Sequence, residues 1–199
     1  MHTPLKETFG NIDIYLFDQI LKQRYQRNDK ILDAGCGKGR NIYWFYKNGY
    51  SIYGLDKDKE SITIAQENYP RIKNKIMVSK VNAIPFEDIF FNHIISNAVL
   101  HFAENKAHFE AMFAELVRVT KKNGSLFIRM TSNIGIENNV IEISEGVYTI
   151  PDGSKRFLLT KDLLKKMIKK YNLSFLEPLK TVNVNDVRCM STLVLRKEE

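Results

Sequence analysis

The chain has 199 residues, of which 44% are apolar, with a formal charge of +7 and a pI near 9.3. A chain of this length buries about 70% of its unfolded surface, so one domain over residues 1–199 can fold without staples. Its two cysteines, Cys36 and Cys189, are far apart and in no metal-ligand spacing, which argues against a disulfide framework or a metal site and points to a reducing, cytoplasmic compartment.

The first eleven positions are polar and lack the basic start and apolar core of a secretion signal, and no apolar run reaches membrane-spanning length. Residues 1–28 read as a helical segment in which Tyr15 and Phe17 can lid a site or simply pack. Apolar runs then predict strands at 30–34, 51–56, 75–81, 92–98 and 125–130. Between them, helical spacing covers 38–49, stopped by Gly49, then 57–68, and 105–122, closed by Asn123 and Gly124. Residues 134–156 are the least patterned stretch, with IPDGS marking a turn, and an excursion over 131–160 is expected to shape the substrate site. The helix KDLLKKMIKK sets Leu163, Leu164, Met167 and Ile168 on one stripe with lysines opposite, the pattern of a solvated face. Segments 173–180 and 186–195 alternate as strands with no helix between them, which predicts an antiparallel hairpin on one edge. The expected fold is α/β, doubly wound, with a mostly parallel seven-stranded Rossmann-like sheet, that C-terminal hairpin strand, and helices on both faces.

The stretch DKILDAGCGKGRN drives the first strand into three glycines. In a doubly wound sheet this turn faces the ligand crevice, and missing side chains let backbone approach the ligand. The spacing is G-x-G-x-G, unlike the G-x-G-x-x-G of dinucleotide sites, whose third glycine falls here on Arg40. Asp33, two residues before Gly35, suits an ammonium group and disfavours a diphosphate. Asp56 ends the second strand about 20 residues on, where an acid bridges ribose hydroxyls. A nucleoside, an ammonium and no phosphate together describe S-adenosylmethionine.

On ILDAGCGKGRN, GLDKDKESI, VNAIPFED, HIISNAVLHF and LVRVTKKNGSLFI, taken in that order, the sequence resembles the class I methyltransferases, specifically the small-molecule, tellurite-resistance-like branch of methyltransferase types 11 and 12. The resemblance covers residues 30–130 and, loosely, the final hairpin. It implies that Gly35, Cys36, Gly37, Gly39 and Asn41 hold the methionine portion while Asp33 orients its ammonium. Asp56 and Lys57 would take the ribose, and Asn82, Ala83 and Ile84 the adenine. Asn82 departs from the Asp common at that position, a neutral acceptor in place of a charged one. Asn97 would face the cofactor and, with His101, the reacting methyl group; the neighbourhood lacks the N/D-P-P-Y/F signature of amino-group DNA methylation. Tyr15, Arg129 and Arg188 are the candidate substrate contacts.

Cys36 reads as a small packing residue, since no base lies beside it in sequence. The expected partner is a small-molecule substrate, with no membrane, and with a monomer or homodimer as the assembly. Scattered basic residues argue against nucleic acid. Methyl transfer to RNA and a non-catalytic cofactor-binding protein remain the alternatives.

Overall fold

The computed structural model describes residues 4–199. Two short helices lead, α1 at Leu5–Phe9 and α2 at Ile14–Leu21, the second capped by Asp13, whose carboxylate accepts the N–H groups of Tyr15 and Leu16. Then β1 (Lys30–Ala34), α3 (Ile42–Lys47), β2 (Ser51–Asp56), α4 (Lys59–Asn68), β3 (Ile76–Val78) and β4 (Phe91–Asn97) alternate. They are followed by α5 (Lys106–Val119) and β5 (Thr120–Ser132). Side chains of Asp58 and Asn105 cap α4 and α5. An excursion contributes β6 (Ile141–Ser144), β7 (Val147–Thr149) and β8 (Lys155–Phe157), which pair as a small antiparallel sheet. The chain closes with α6 (Lys161–Lys170), β9 (Leu173–Phe175), β10 (Lys180–Val184) and β11 (Arg188–Lys197).

The main sheet runs β10-β11-β5-β4-β1-β2-β3, with β9 also paired to β11. Strands β1 to β5 are parallel and β11 enters antiparallel, so the expected seven-stranded architecture with its reversed C-terminal strand is present. Alternation along each strand feeds two cores. Leu32, Ala34, Ile94, Leu126 and Leu193 point toward α5 and α6. Ile31, Ile52, Ile95, Phe127 and Val194 point toward α2, α3 and α4. Asp33, Asn97 and Arg129 lie two residues beyond Ile31, Ile95 and Phe127, and therefore share the second face.

Several boundaries differ from expectation. The helix over 38–49 is helical only at Ile42–Lys47, because Gly37 and Gly39 hold positive φ and Lys38–Asn41 form turns. The third strand stops at Val78, where the Ser79 N–H bonds back to the Asp56 carbonyl. Helix α5 ends at Val119, and β5 takes the residues that follow. The late hairpin is present, but β11 is not an edge strand: β5 flanks it on one side and β9 and β10 on the other. No helix among the described residues is long and apolar enough to cross a membrane, and no cluster of metal-ligating side chains occurs among them.

Candidate active site

At the carboxyl ends of β1, β2 and β4 the chain surrounds a cavity of about 620 Å³, lined among others by Gly35, Asp56, Lys57, Asn82, Val99 and Phe102. The glycine turn closes one side of it. Gly35 has φ +85° and lies so close to Val99 that a Cβ would come within 2.3 Å of that side chain. Gly39, at φ +84°, lies equally close to Tyr69. Gly37 (φ +52°) has nothing within 4 Å of where a Cβ would stand, so its backbone is the open surface of the turn.

Hydrogen bonding inside the turn decides what it can hold. The N–H groups of Gly35 and Cys36 donate to the Leu55 carbonyl at 2.8 and 2.9 Å, and that of Gly39 to the Cys36 carbonyl at 2.9 Å. The Gly37 N–H donates to Asp56 Oδ2 at 2.8 Å. A phosphate cradle needs such donors free and converging on the anion; here four are committed internally. Asp56 also accepts the Asp58 N–H at 3.0 Å. An ionised carboxylate has about four acceptor sites, so roughly two remain for hydroxyl donors.

Asp33 is 1% exposed, and its Oδ2 has no hydrogen-bond partner. Burial raises its pKa to about 7, with nearby Arg40 opposing and Asp56 adding to the shift. An unpartnered acid at the end of β1 is a fit for a cationic group. Asn97 is buried with both amide atoms unpartnered. The next residue, Ala98, lines the cavity at φ +62°, a left-handed conformation costly for a residue with a Cβ.

Gly35, Asp56, Lys57 and Asn82 thus come together on the cavity wall, while other candidates lie elsewhere. Cys36 packs its thiol under Gly54, and burial pushes its pKa up, which keeps it protonated. Asn41 is buried and accepts the Asp13 N–H at 3.1 Å, joining α2 to α3. Ala83 is exposed, and Ile84 turns into the core, its N–H held by Glu115 at 2.8 Å. Tyr15 lies beneath the Arg129 guanidinium at 5.0 Å, and Arg188 approaches Asp152 at 3.9 Å.

His101 is buried, with its pKa lowered to about 4 by burial and then by the charges of Arg156, Arg188 and Arg129. Its Nδ1 accepts the Thr131 N–H at 3.3 Å, which places the ring proton on Nε2 and makes the neutral imidazole a donor. Val81, Val99, Phe102, His108 and Met112 also line the cavity, and the sequence reading missed them. Most lie in the connection after β4 and the first turns of α5, where local spacing carries no signal. The apolar run VLHF, directly after a strand aimed at the crevice, was the one available hint.

A parallel sheet with a reversed strand, a turn with its four glycine-stretch amides committed internally, and an acid ending β2 are the features of the class I methyltransferase fold. The methyltransferase-domain family model matches residues 32–128, from β1 into β5. It is 28% identical over 165 residues to ubiquinone biosynthesis O-methyltransferase of Pelagibacter ubique, across 80% of this chain and 67% of that one. The chain spans 43%, 67% and 42% of the lengths of three curated relatives that it matches.

A SAM-dependent methyltransferase from Methanosarcina mazei superposes with a TM-score of 0.72 at 19% identity, covering 90% of this chain and 98% of that one. The 1,6-didemethyltoxoflavin-N1-methyltransferase of Burkholderia thailandensis, solved with S-adenosylhomocysteine, gives 0.67 at 15% identity over 90% of this chain and 76% of that one. These structural matches show the fold, and none of the comparisons supports the tellurite-resistance-like branch.

Proposed function

We propose that the protein transfers a methyl group from S-adenosylmethionine to a small-molecule acceptor by in-line displacement. The observation that carries the reading is the glycine turn. The amides of Gly35, Cys36, Gly37 and Gly39 are engaged internally, one of them by Asp56, which disfavours a pyrophosphate there and leaves an acid at the ribose position. The S-adenosylhomocysteine bound to the Burkholderia protein and the family match support the same ligand.

S-adenosylmethionine supplies, when bound, a methyl group already activated on a sulfonium. The chain's own work is to bind and align. Asp56 would hold the ribose hydroxyls and Asp33 the ammonium, while Val81, Asn82 and Met112 wall the remainder of the cavity. Holding reactants at near-attack distance is worth about 7–11 kcal/mol in favourable systems. His101, a neutral donor with Nδ1 occupied, has no free lone pair for a proton, so its role is to orient an acceptor oxygen. An acceptor that is already ionised needs no base.

Calorimetry with S-adenosylhomocysteine tests the reading. Asp56→Ala is expected to weaken binding at least tenfold, about 1.4 kcal/mol. Unchanged affinity in that variant, or a wild type that prefers NADH, would refute it.

A further inference from the structure

The charges around the ends of β4 and β5 identify the chemical class of the acceptor, on the premise that this cleft transfers methyl groups. Arg129, from β5, is 19% exposed at its side chain, and its nearest acid is Asp13 at 3.5 Å. The same Asp13 oxygen lies 3.9 Å from Arg40, while the other accepts the Tyr15 and Leu16 N–H groups. One carboxylate therefore faces two guanidinium groups and, among the described residues, hydrogen-bonds neither. Arg129 Nε is buried with no partner, and the Tyr15 ring under the guanidinium holds it in place.

Two more guanidinium groups arrive from other elements. Arg156, on β8, lies 5.1 Å from the centre of the Phe102 ring, itself a wall of the cavity. Arg188 opens β11 on the same sheet face as Arg129, since Arg129 pairs with Thr192 and alternate residues share a face. Its only acid among the described residues is Asp152, at 3.9 Å. His101 lies within the electrostatic reach of all three arginines, and they help keep its ring uncharged. Asn97 stands in register beside Arg129 with its amide unpartnered.

Around His101, in the turn after β4, the set is thus three cations from β5, β8 and β11, an imidazole N–H and the Asn97 amide, with the acids Asp13 and Asp152 beside two of the cations. The Arg129 guanidinium is largely covered, yet its carboxylate stands beyond hydrogen-bond distance and its Nε has no partner; such a planar fork is under-satisfied and matches an oxyanion. We propose that the methyl acceptor is a small molecule bearing an oxyanion, a carboxylate or a phosphate ester, held by Arg129, Arg156 and Arg188. Residues 134–156, which continue into β8, then contribute one jaw of the clamp and β11 another.

The test uses the full chain saturated with S-adenosylhomocysteine, its arginine Nε–H signals followed by nuclear magnetic resonance. Benzoate, phenyl phosphate and benzamide are titrated at constant ionic strength. Saturable shifts of the Arg129, Arg156 and Arg188 signals with benzoate or phenyl phosphate, but not benzamide, are expected, and the tighter anion names the group. The double variant Arg156→Gln, Arg188→Gln spares Arg129, whose Nε is buried, and so keeps the packing around β5; it should bind S-adenosylhomocysteine within twofold of wild type and the anion at least tenfold more weakly. Benzamide acting as strongly as the anions, no saturation by either, or an unchanged double variant would overturn the proposal. Failure of the wild type to bind S-adenosylhomocysteine is a separate result, and it would overturn the methyl-transfer reading first.

Discussion

Asp33 is where sequence and structure combine most directly, because its role depends on a charge that the fold opposes. Its pKa stands near 7 in the folded chain against 3.8 for the free side chain, so the folded state binds its proton more tightly than the unfolded state does. Stability on this account is greatest at low pH and falls as pH rises from about 4 through 7. Asp33→Asn removes that slope: thermal melts between pH 5 and 8 should show the wild type losing more Tm than the variant, and parallel curves would refute the assignment. An ammonium ligand reverses the preference, since it favours the ionised acid. Affinity for S-adenosylhomocysteine should rise with pH through about 7 in the wild type and stay flat and weaker in Asp33→Asn. The place of Asp33 at the end of β1, ahead of the glycine turn, was legible because type and position suffice for that. Asn41 and Ile84 were not, because only the fold shows Asn41 turned to Asp13 and Ile84 turned into the core.

At the scale of elements, the strands legible in the sequence are those buried on both faces, whose apolar runs mark them whatever their partners. Strand β6 is exposed at all four positions, so it has no apolar alternation to read, and the excursion's small sheet went unseen. Strand β11 shows the opposite case: seven consecutive buried residues mark an interior strand, and the run MSTLVL carried that signal. The N-terminal segment is held by charge as well as by packing. Glu177, in the turn after β9, accepts hydrogen bonds from Lys22, Arg24 and Lys180, and Lys22 and Lys180 also reach Asp18. Burial works against the Glu177 charge, but the bonds from Lys180, Lys22 and Gln19 outweigh it and hold its pKa at about 2. Removing that one charge leaves three cations with Asp18 as the one acid that still pairs two of them, and Arg24 without its carboxylate. In Glu177→Gln, trypsin should cut after Lys22 and Arg24 several-fold faster than in the wild type, and most clearly at low salt. Equal cleavage rates would show that packing alone secures the segment.

For the molecule as a whole, the question is whether the excursion after β5 can be separated from the fold that carries it. Its outer strand is exposed, with Ile141 at 70%, yet its last strand ends in Phe157, 1% exposed and stacked on Phe109 of α5 at 4.6 Å. Gly146, in the β6–β7 turn, lies so close that a Cβ would meet the Phe157 ring at 2.4 Å, so the hairpin is folded down over a side chain of the main core. Leu159 continues the attachment: its N–H bonds the Thr131 carbonyl, one residue from the end of β5. Phe157→Ala should therefore cost about 3–5 kcal/mol, a large part of the roughly 5–15 kcal/mol that holds a domain together. Ile141→Ala should cost about 0.5 kcal/mol or less. Urea denaturation of both variants measures this, the midpoints being compared at equal m-values. Equal losses would mean that the excursion is an independent flap. The expected inequality would mean that β8, and with it Arg156, is set by the same packing that builds α5 against the sheet. An acceptor site built that way is fixed in position before any ligand arrives, which is what alignment of a methyl group requires.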